Sequence, residues 1–284
     1  MIKRSQMRKF VAWFLRSVLR YRSDVVMANL SRCFPRMTYE ELQETHKRFY
    51  LHLADIIAET FWFGRYTGEK CRKRIRKSHI VEFTNPEEFN RLYRGATQLM
   101  MLQAHTGNWE LIGGILNYSY GEPLDIDANT IAVTYLKQRP EFVDRFLERN
   151  RTAAVVDYGF KGYVEASNVV RFAYNNKDNK YSYSFITDQF PYTSNLKCEL
   201  NFMYRADTAT MTGAASLAVK FDMAVGYLRF RCREGGGYTL SIVPICDRAG
   251  GHDVKEIMQK YYDLLEEDLK AQPWNYLWTH KRWK

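Results

Sequence analysis

Apolar positions at the start of the chain recur with helical spacing. Met7, Phe10, Val11, Phe14, Leu15, Val18 and Leu19 form a stripe, with Lys3, Arg4, Arg8, Lys9, Arg16, Arg20 and Arg22 around it. Such a basic amphipathic helix, residues 1–22, is expected to lie in a membrane interface; packing of its stripe on the body of the protein is the alternative. Next, Thr38-Tyr39-Glu40-Glu41 forms a capping box that opens a helix to about Trp62. Leu42, Phe49, Leu53, Ile56, Ile57 and Phe61 are its candidate buried residues. The basic cluster Lys70, Arg72, Lys73, Arg74, Arg76 and Lys77 reads as a solvated face, with contact to anionic headgroups as a second reading.

Beyond residue 80 the pattern changes to short apolar runs between helical stretches. Strands are expected at Gln98–Ala104, Thr130–Tyr135, Thr152–Val156 and Tyr181–Thr187, and helices near 109–117, 139–151, 160–176 and Thr208–Phe221. Two further strands, Ala224–Arg231 and Tyr238–Pro244, flank Glu234-Gly235-Gly236-Gly237, which reads as a hairpin turn because no helix follows it as in a phosphate loop. A last helix, Val254–Lys270, leads into a tail rich in Trp and basic residues. The expected architecture is α/β: a mostly parallel central sheet flanked by helices, with a C-terminal antiparallel hairpin and an N-terminal helical preface. Residues 23–284 are read as a single domain, with the preface at 23–80 and the α/β core at 81–284.

With 284 residues, 46% of them hydrophobic, the chain can bury a sizeable core. The net charge of +10 and a pI near 9.3 point to an acidic partner, without choosing among nucleic acid, phospholipid and an acidic protein. Five cysteines, an odd number with no close CxxC pair, argue against a disulfide framework or a zinc knuckle and suit a reducing compartment. No run is long enough to span a bilayer.

The candidate chemistry centres on Gln103-Ala104-His105-Thr106-Gly107-Asn108-Trp109-Glu110, at an expected strand-to-helix junction. Glu110 folding back to one imidazole nitrogen would fix the tautomer of His105 and leave the other nitrogen able to take a proton from an alcohol. With six histidines and 32 acidic residues, this spacing arises by chance roughly 0.7 times, so spacing alone carries little weight. Ligands of parallel sheets bind at the carboxyl ends of strands, where His105, Tyr135, Asp157 and Asp188 fall. A nucleophile elbow, a Walker loop and HExxH are all missing, and His105 with Glu110 lacks a third ligand, so neither covalent serine catalysis nor a metal is expected. Arg151 is a candidate contact to a phosphate or acceptor, and backbone N–H groups at Gly107 and Asn108 are candidates to steady an oxyanion.

Several ordered blocks resemble the bacterial lipid A biosynthesis acyltransferases, the lauroyl and myristoyl transferases of the lysophospholipid acyltransferase superfamily. Arg22 with Asn29-Leu30-Ser31-Arg32-Cys33-Phe34-Pro35 is similar to the family's N-L-x-x-x-F-P block, and Glu59 falls where its long helix carries a glutamate. His105 to Glu110 matches the H-x-G-N-W-E form of its H-x(4)-[D/E] signature. Thr187-Asp188-Gln189 is similar to its D-Q block, Phe202 to Gly213 to its F-x-x-x-x-[A/T] segment, and Leu277 to Lys284 to its closing L-W-x-H-[K/R]-R-[F/W]-K. Where the family commonly carries an arginine near the strand ending at Tyr135, this chain has Leu136-Lys137-Gln138-Arg139.

The resemblance implies transfer of a fatty acyl chain from an acyl carrier protein thioester to a hydroxyl of a phosphorylated glycolipid, most readily a lipid A precursor. His105 is then the general base and Glu110 its orienter, with Gly107, Asn108, Tyr135, Lys137, Arg151, Asp188 and Gln189 as substrate-binding candidates. No cofactor is expected beyond the acyl carrier protein donor. The expected location is the cytoplasmic face of the inner membrane, peripheral or monotopic, on an anionic surface and without nucleic acid. Two alternatives stay open: acylation of another membrane lipid, such as a glycosylated phosphoinositide or an aminolipid, and a non-catalytic basic protein binding membrane or nucleic acid.

Overall fold

The computed structural model describes residues 4–155, 159–191 and 198–283. Helix α1 (Arg4–Trp13) runs into a π-helical turn (Phe14–Val18) and is followed by α2 (Ser23–Cys33), α3 (Tyr39–Phe63) and α4 (Gly68–Ser78). The capping box at α3 forms as expected: Thr38 Oγ1 accepts from Glu41 N at 3.3 Å, and Glu41 Oε2 accepts from Thr38 N at 2.7 Å. Only Val11, Ala12 and Leu15 of the first helical segment turn toward the core, while Met7, Phe10, Trp13, Phe14, Val18 and Leu19 are exposed. One face of this segment therefore packs on the body, as the alternative expected, and the other presents apolar residues to solvent.

The sheet begins with β1 (Val81–Phe83), then α5 (Pro86–Gly95) and β2 (Gln98–Gln103). After a 3-10 helix (Trp109–Asn117) come β3 (Ile131–Tyr135), α6 (Glu141–Arg151), β4 (Tyr163–Glu165), a short 3-10 turn (Ala166–Asn168) and α7 (Val169–Asn175). Next are β5 (Tyr181–Ile186), β6 (Cys198–Phe202), β7 (Arg205–Thr210), α8 (Gly213–Lys220), β8 (Ala224–Cys232), β9 (Tyr238–Cys246) and α9 (Val254–Ala271). Seven strands pair in the order β1-β9-β8-β2-β5-β3-β4, parallel throughout except at the β8–β9 hairpin; β6 and β7 form a separate antiparallel pair.

The buried strand β2 explains how the core is divided. Its side chains alternate between faces: Met100 and Leu102 join one apolar cluster with α2, α3, α8 and α9, and Leu99 and Met101 join another with α4, α5 and the 3-10 helix. At the β8–β9 turn, Gly235, Gly236 and Gly237 have φ of +83°, +110° and +75°, which accounts for the glycine run as a hairpin device.

Four expected elements come out differently. Thr152–Ala154 is a turn closing α6, with Thr152 N–H on Glu148 O at 3.0 Å and Ala153 O accepting from Gly68 N at 2.7 Å; Val156 lies outside the described residues. Its β-branched composition gave the wrong reading because local hydrogen bonds to α6 satisfy its backbone. The stretch 160–176 is not one helix, since β4 fills the open edge of β3, with Val133 opposite Tyr163, and the helix starts only at Val169. Likewise Thr208–Thr210 belongs to β7, paired to β6, and the helix begins at Gly213. Residues 109–117 are helical but 3-10, with Gly113 so close to α6 that a Cβ there would meet Arg151 O at 1.8 Å.

Candidate active site

The parallel register sets up the site. Gln103, the last residue of β2, lies opposite Ile186, the last of β5, and two residues further along each strand stand His105 and Asp188. The pairing thus carries both side chains to the same carboxyl edge. His105 Nδ1 is 2.8 Å from Asp188 Oδ1, and the His105 backbone N–H donates to Asp188 Oδ2 at 3.3 Å. The Asp188 residue is buried and the His105 side chain retains 17% of its exposure. Burial pushes the Asp188 carboxyl up, but the adjacent imidazole and its hydrogen bonds outweigh this, and the group ends below the ordinary carboxylate range. An ionised Asp188 fixes the proton of a neutral imidazole on Nδ1 and leaves Nε2 as the basic nitrogen. Gln189 Nε2 lies 3.3 Å from that nitrogen, and the Trp109 indole packs edge-on against the ring at 5.0 Å between centroids.

Glu110 does not take up the orienting position expected for it. Its carboxylate is gripped by Arg151 in a two-pronged ion pair, Nε to Oε2 at 2.8 Å and Nη2 to Oε1 at 2.7 Å, and accepts from Trp109 Nε1 at 3.1 Å. The reason is geometric: the 3-10 helix starting at Trp109 carries Glu110 toward the C-terminal end of α6, while β5 brings Asp188 to the imidazole. Arg151 is likewise committed to the fold; burial works against its charge, and Glu110 more than offsets this, raising its pKa. Arg151 Nη1 also donates to Tyr163 Oη at 3.3 Å, and Tyr163 stacks on Tyr135 at 3.9 Å and 5°. A continuous chain of contacts therefore runs from Tyr135 through Tyr163, Arg151, Glu110 and Trp109 to His105.

Gly107 and Asn108 also serve the loop's own architecture. Gly107 sits at φ +59°, and a Cβ there would meet the Phe230 ring at 1.9 Å, so both the backbone region and the space require glycine. Its N–H donates to Asn275 Oδ1 at 2.6 Å, so this donor is taken by the protein and is not aimed at an oxyanion. Its carbonyl accepts from His52 Nε2 at 3.1 Å; burial lowers the His52 pKa to about 4 and keeps that ring neutral. Asn108 is fully buried and donates to Glu59 Oε2 at 3.1 Å and Ile56 O at 3.4 Å, which tethers the loop to α3. Lys137 stands exposed between β3 and α6, beside an open depression formed with Gln138, Arg139, Pro140 and Glu141. Asp157 lies outside the described residues.

Sequence reading missed His52 and Asn275 as supports of the loop. Both come from segments far from residue 105, 53 and 170 positions away in sequence, and neither belongs to the blocks that carry the resemblance. Leu277 N–H donates to His105 O at 3.0 Å, and Tyr276 Oη donates to Asp188 O at 3.4 Å. The tail is in turn held by the N-terminal block: Arg22 Nη1 donates to Thr279 O at 3.1 Å, and Asn29 Nδ2 to Trp278 O and His280 O at 2.8 and 2.9 Å. Trp278 and Arg282 are buried, so the tail packs inward.

Behind the Glu110–Arg151 pair lies a narrow apolar cavity lined by Ile112, Ile115, Leu116, Ile131, Val133 and Phe160.

These features define an α/β protein with a histidine–carboxylate pair at the carboxyl edge of its parallel sheet. The chain belongs to the bacterial lipid A biosynthesis acyltransferase family, whose model matches residues 2–284, and at that level it is an acyltransferase of lipid A biosynthesis. Comparison with curated proteins gives no match. Among the described residues, no helix is long and apolar enough to cross a membrane.

Proposed function

We propose that the protein transfers a fatty acyl chain from an acyl carrier protein thioester to a hydroxyl of a phosphorylated glycolipid, a lipid A precursor, at the cytoplasmic face of the inner membrane. The observation that carries this reading is the His105 Nδ1–Asp188 contact of 2.8 Å, within a chain of the acyltransferase family. Asp188 orients the ring, and Nε2 takes the proton of the acceptor hydroxyl as its oxygen attacks the thioester carbonyl carbon. The tetrahedral intermediate then collapses: the carbon–sulfur bond breaks, and the leaving thiolate takes the proton back from His105. No bond between acyl group and protein is needed. Glu110 acts through Trp109, which it holds by hydrogen bond against the imidazole. Gln189, beside Nε2, stands where the acceptor hydroxyl arrives. The cationic surface suits both an acidic carrier protein and a phosphorylated lipid.

The test is acyl transfer by purified protein from acyl carrier protein to a lipid A precursor, read by mass spectrometry. His105→Ala is expected to lower the rate by roughly two to four decades while the chain stays folded. Near-normal transfer by that variant would end the proposal. Product mass reports acyl length and acceptor position together, and product formed only on a different membrane lipid would redirect the acceptor assignment.

A further inference from the structure

Three aromatic side chains stand in solvent and belong neither to the core nor to the site. Phe61, near the C-terminal end of α3, is 63% exposed, and Phe142 and Phe146 on α6 are 68% and 40% exposed. Phe61 and Phe146 face one another with ring centroids 5.4 Å apart, so a single ridge bridges the two helices. Phe142 lies one helical turn from Phe146, and Ile57, also exposed, one turn before Phe61. Helix α1 packs on α3, with Arg8 on Asp55 at 2.6 Å, and carries exposed Met7, Phe10, Trp13 and Phe14 of its own. Contiguous apolar surface of this kind marks a contact with something outside the chain.

Charge selects the partner. Exposed Arg65, Lys137, Arg139, Arg145 and Arg149 come from the segments that carry the ridge, against exposed Glu141 and Glu148. Aromatic rings within a basic surround match the boundary between acyl chains and anionic headgroups. A second copy of this chain would bring its own basic rim against this one, an unfavourable pairing of like charges. Position argues the same way: α6 carries the ridge on its exposed face and, at its C-terminal end, the Arg151 that grips Glu110. A lipid layer seated on the ridge therefore lies against the helix that borders the His105 loop.

We propose that Phe61, Phe142 and Phe146 form a bilayer-docking ridge that seats in an anionic lipid surface; this rests on the reading of a membrane lipid as acceptor. The experiment is sedimentation of the full chain with vesicles of phosphatidylglycerol and phosphatidylcholine, comparing the parent with Phe61→Ser/Phe142→Ser/Phe146→Ser. Vesicle affinity is expected to fall about tenfold or more, since removing even one interfacial phenyl group is worth about that factor. The circular dichroism spectrum should be unchanged because all three side chains are exposed. Affinity within twofold of the parent would overturn the proposal. A parent dimer that becomes monomeric in the triple variant, with vesicle binding retained, would overturn it in favour of self-association. Phe142→Trp gives an independent reading: its emission should shift to the blue on anionic vesicles relative to the parent, and no shift would count against the ridge. Vesicle binding is read without any acyl transfer, so a parent inactive on every acceptor lipid but dependent on the ridge for binding would sink the catalytic reading and leave the ridge standing.

Discussion

At the scale of single residues, the site is decided by which carboxylate reaches the imidazole. Asp188 does so at 2.8 Å, and Glu110, five positions from His105 in sequence, is held instead by Arg151 and Trp109. The two acids therefore have different work in the proposed reaction, and substitution separates them. Asp188→Asn keeps the shape of the side chain but removes the charge that stabilises the imidazolium and selects the Nδ1–H tautomer. Its rate of acyl transfer is expected to drop by about two to four decades with the melting temperature little changed, and a rate within threefold of the parent would show that Asp188 does not orient the base. Arg151, a candidate contact to a phosphate, is paired here with Glu110. A guanidinium that fits a phosphate equally fits a carboxylate, and here the carboxylate is part of the chain.

At the scale of elements, the loop after β2 is a clamped turn. Its backbone groups are taken in order by α3 through His52, by Asn275 at Gly107, and by Leu277 at His105. Asn275 is itself fixed by donating to Phe230 O at 3.1 Å and Gln272 Oε1 at 2.9 Å, so the tail acts as a bracket between β8, α9 and the loop. Asn275→Ala leaves the buried Gly107 N–H without its acceptor, which costs about 1–3 kcal/mol. We expect that loss in the denaturant midpoint together with a fall in kcat exceeding any change in KM, since the bracket positions His105 and touches no substrate. A midpoint and a kcat both indistinguishable from the parent's would mean that the hydrogen bond is not what matters. The family's N-terminal and C-terminal blocks meet in this same bracket, because Asn29 of α2 holds the carbonyls of Trp278 and His280.

At the scale of the whole molecule, α1, α3 and α6 each carry exposed apolar residues amid a strongly basic chain, so the lipid contact proposed above would depend on salt. Deleting residues 1–20 is expected to weaken sedimentation with anionic vesicles, with a smaller difference in 1 M salt, where the screening length falls to about 3 Å. Unchanged sedimentation would confine the role of α1 to packing on α3. Much of this organisation could be read in the sequence because it depends on local physics. The capping box at Thr38, the buried run of β2 and the glycine turn between β8 and β9 each follow from periodicity and backbone preference over a few residues. So did the His105 motif, whose glycine is required both by φ and by the Phe230 ring. What local pattern left undetermined are pairings made across long sequence separations: β4 filling the edge of β3, β7 at the start of the helix expected over Thr208–Phe221, and the inward packing of the Trp-rich tail. The sequence by itself determined that a histidine stands at the end of a buried strand in an α/β chain. Tertiary structure alone decided that its partner is Asp188, because the register of β2 with β5, which local propensity cannot encode, places residues 83 positions apart within hydrogen-bonding distance.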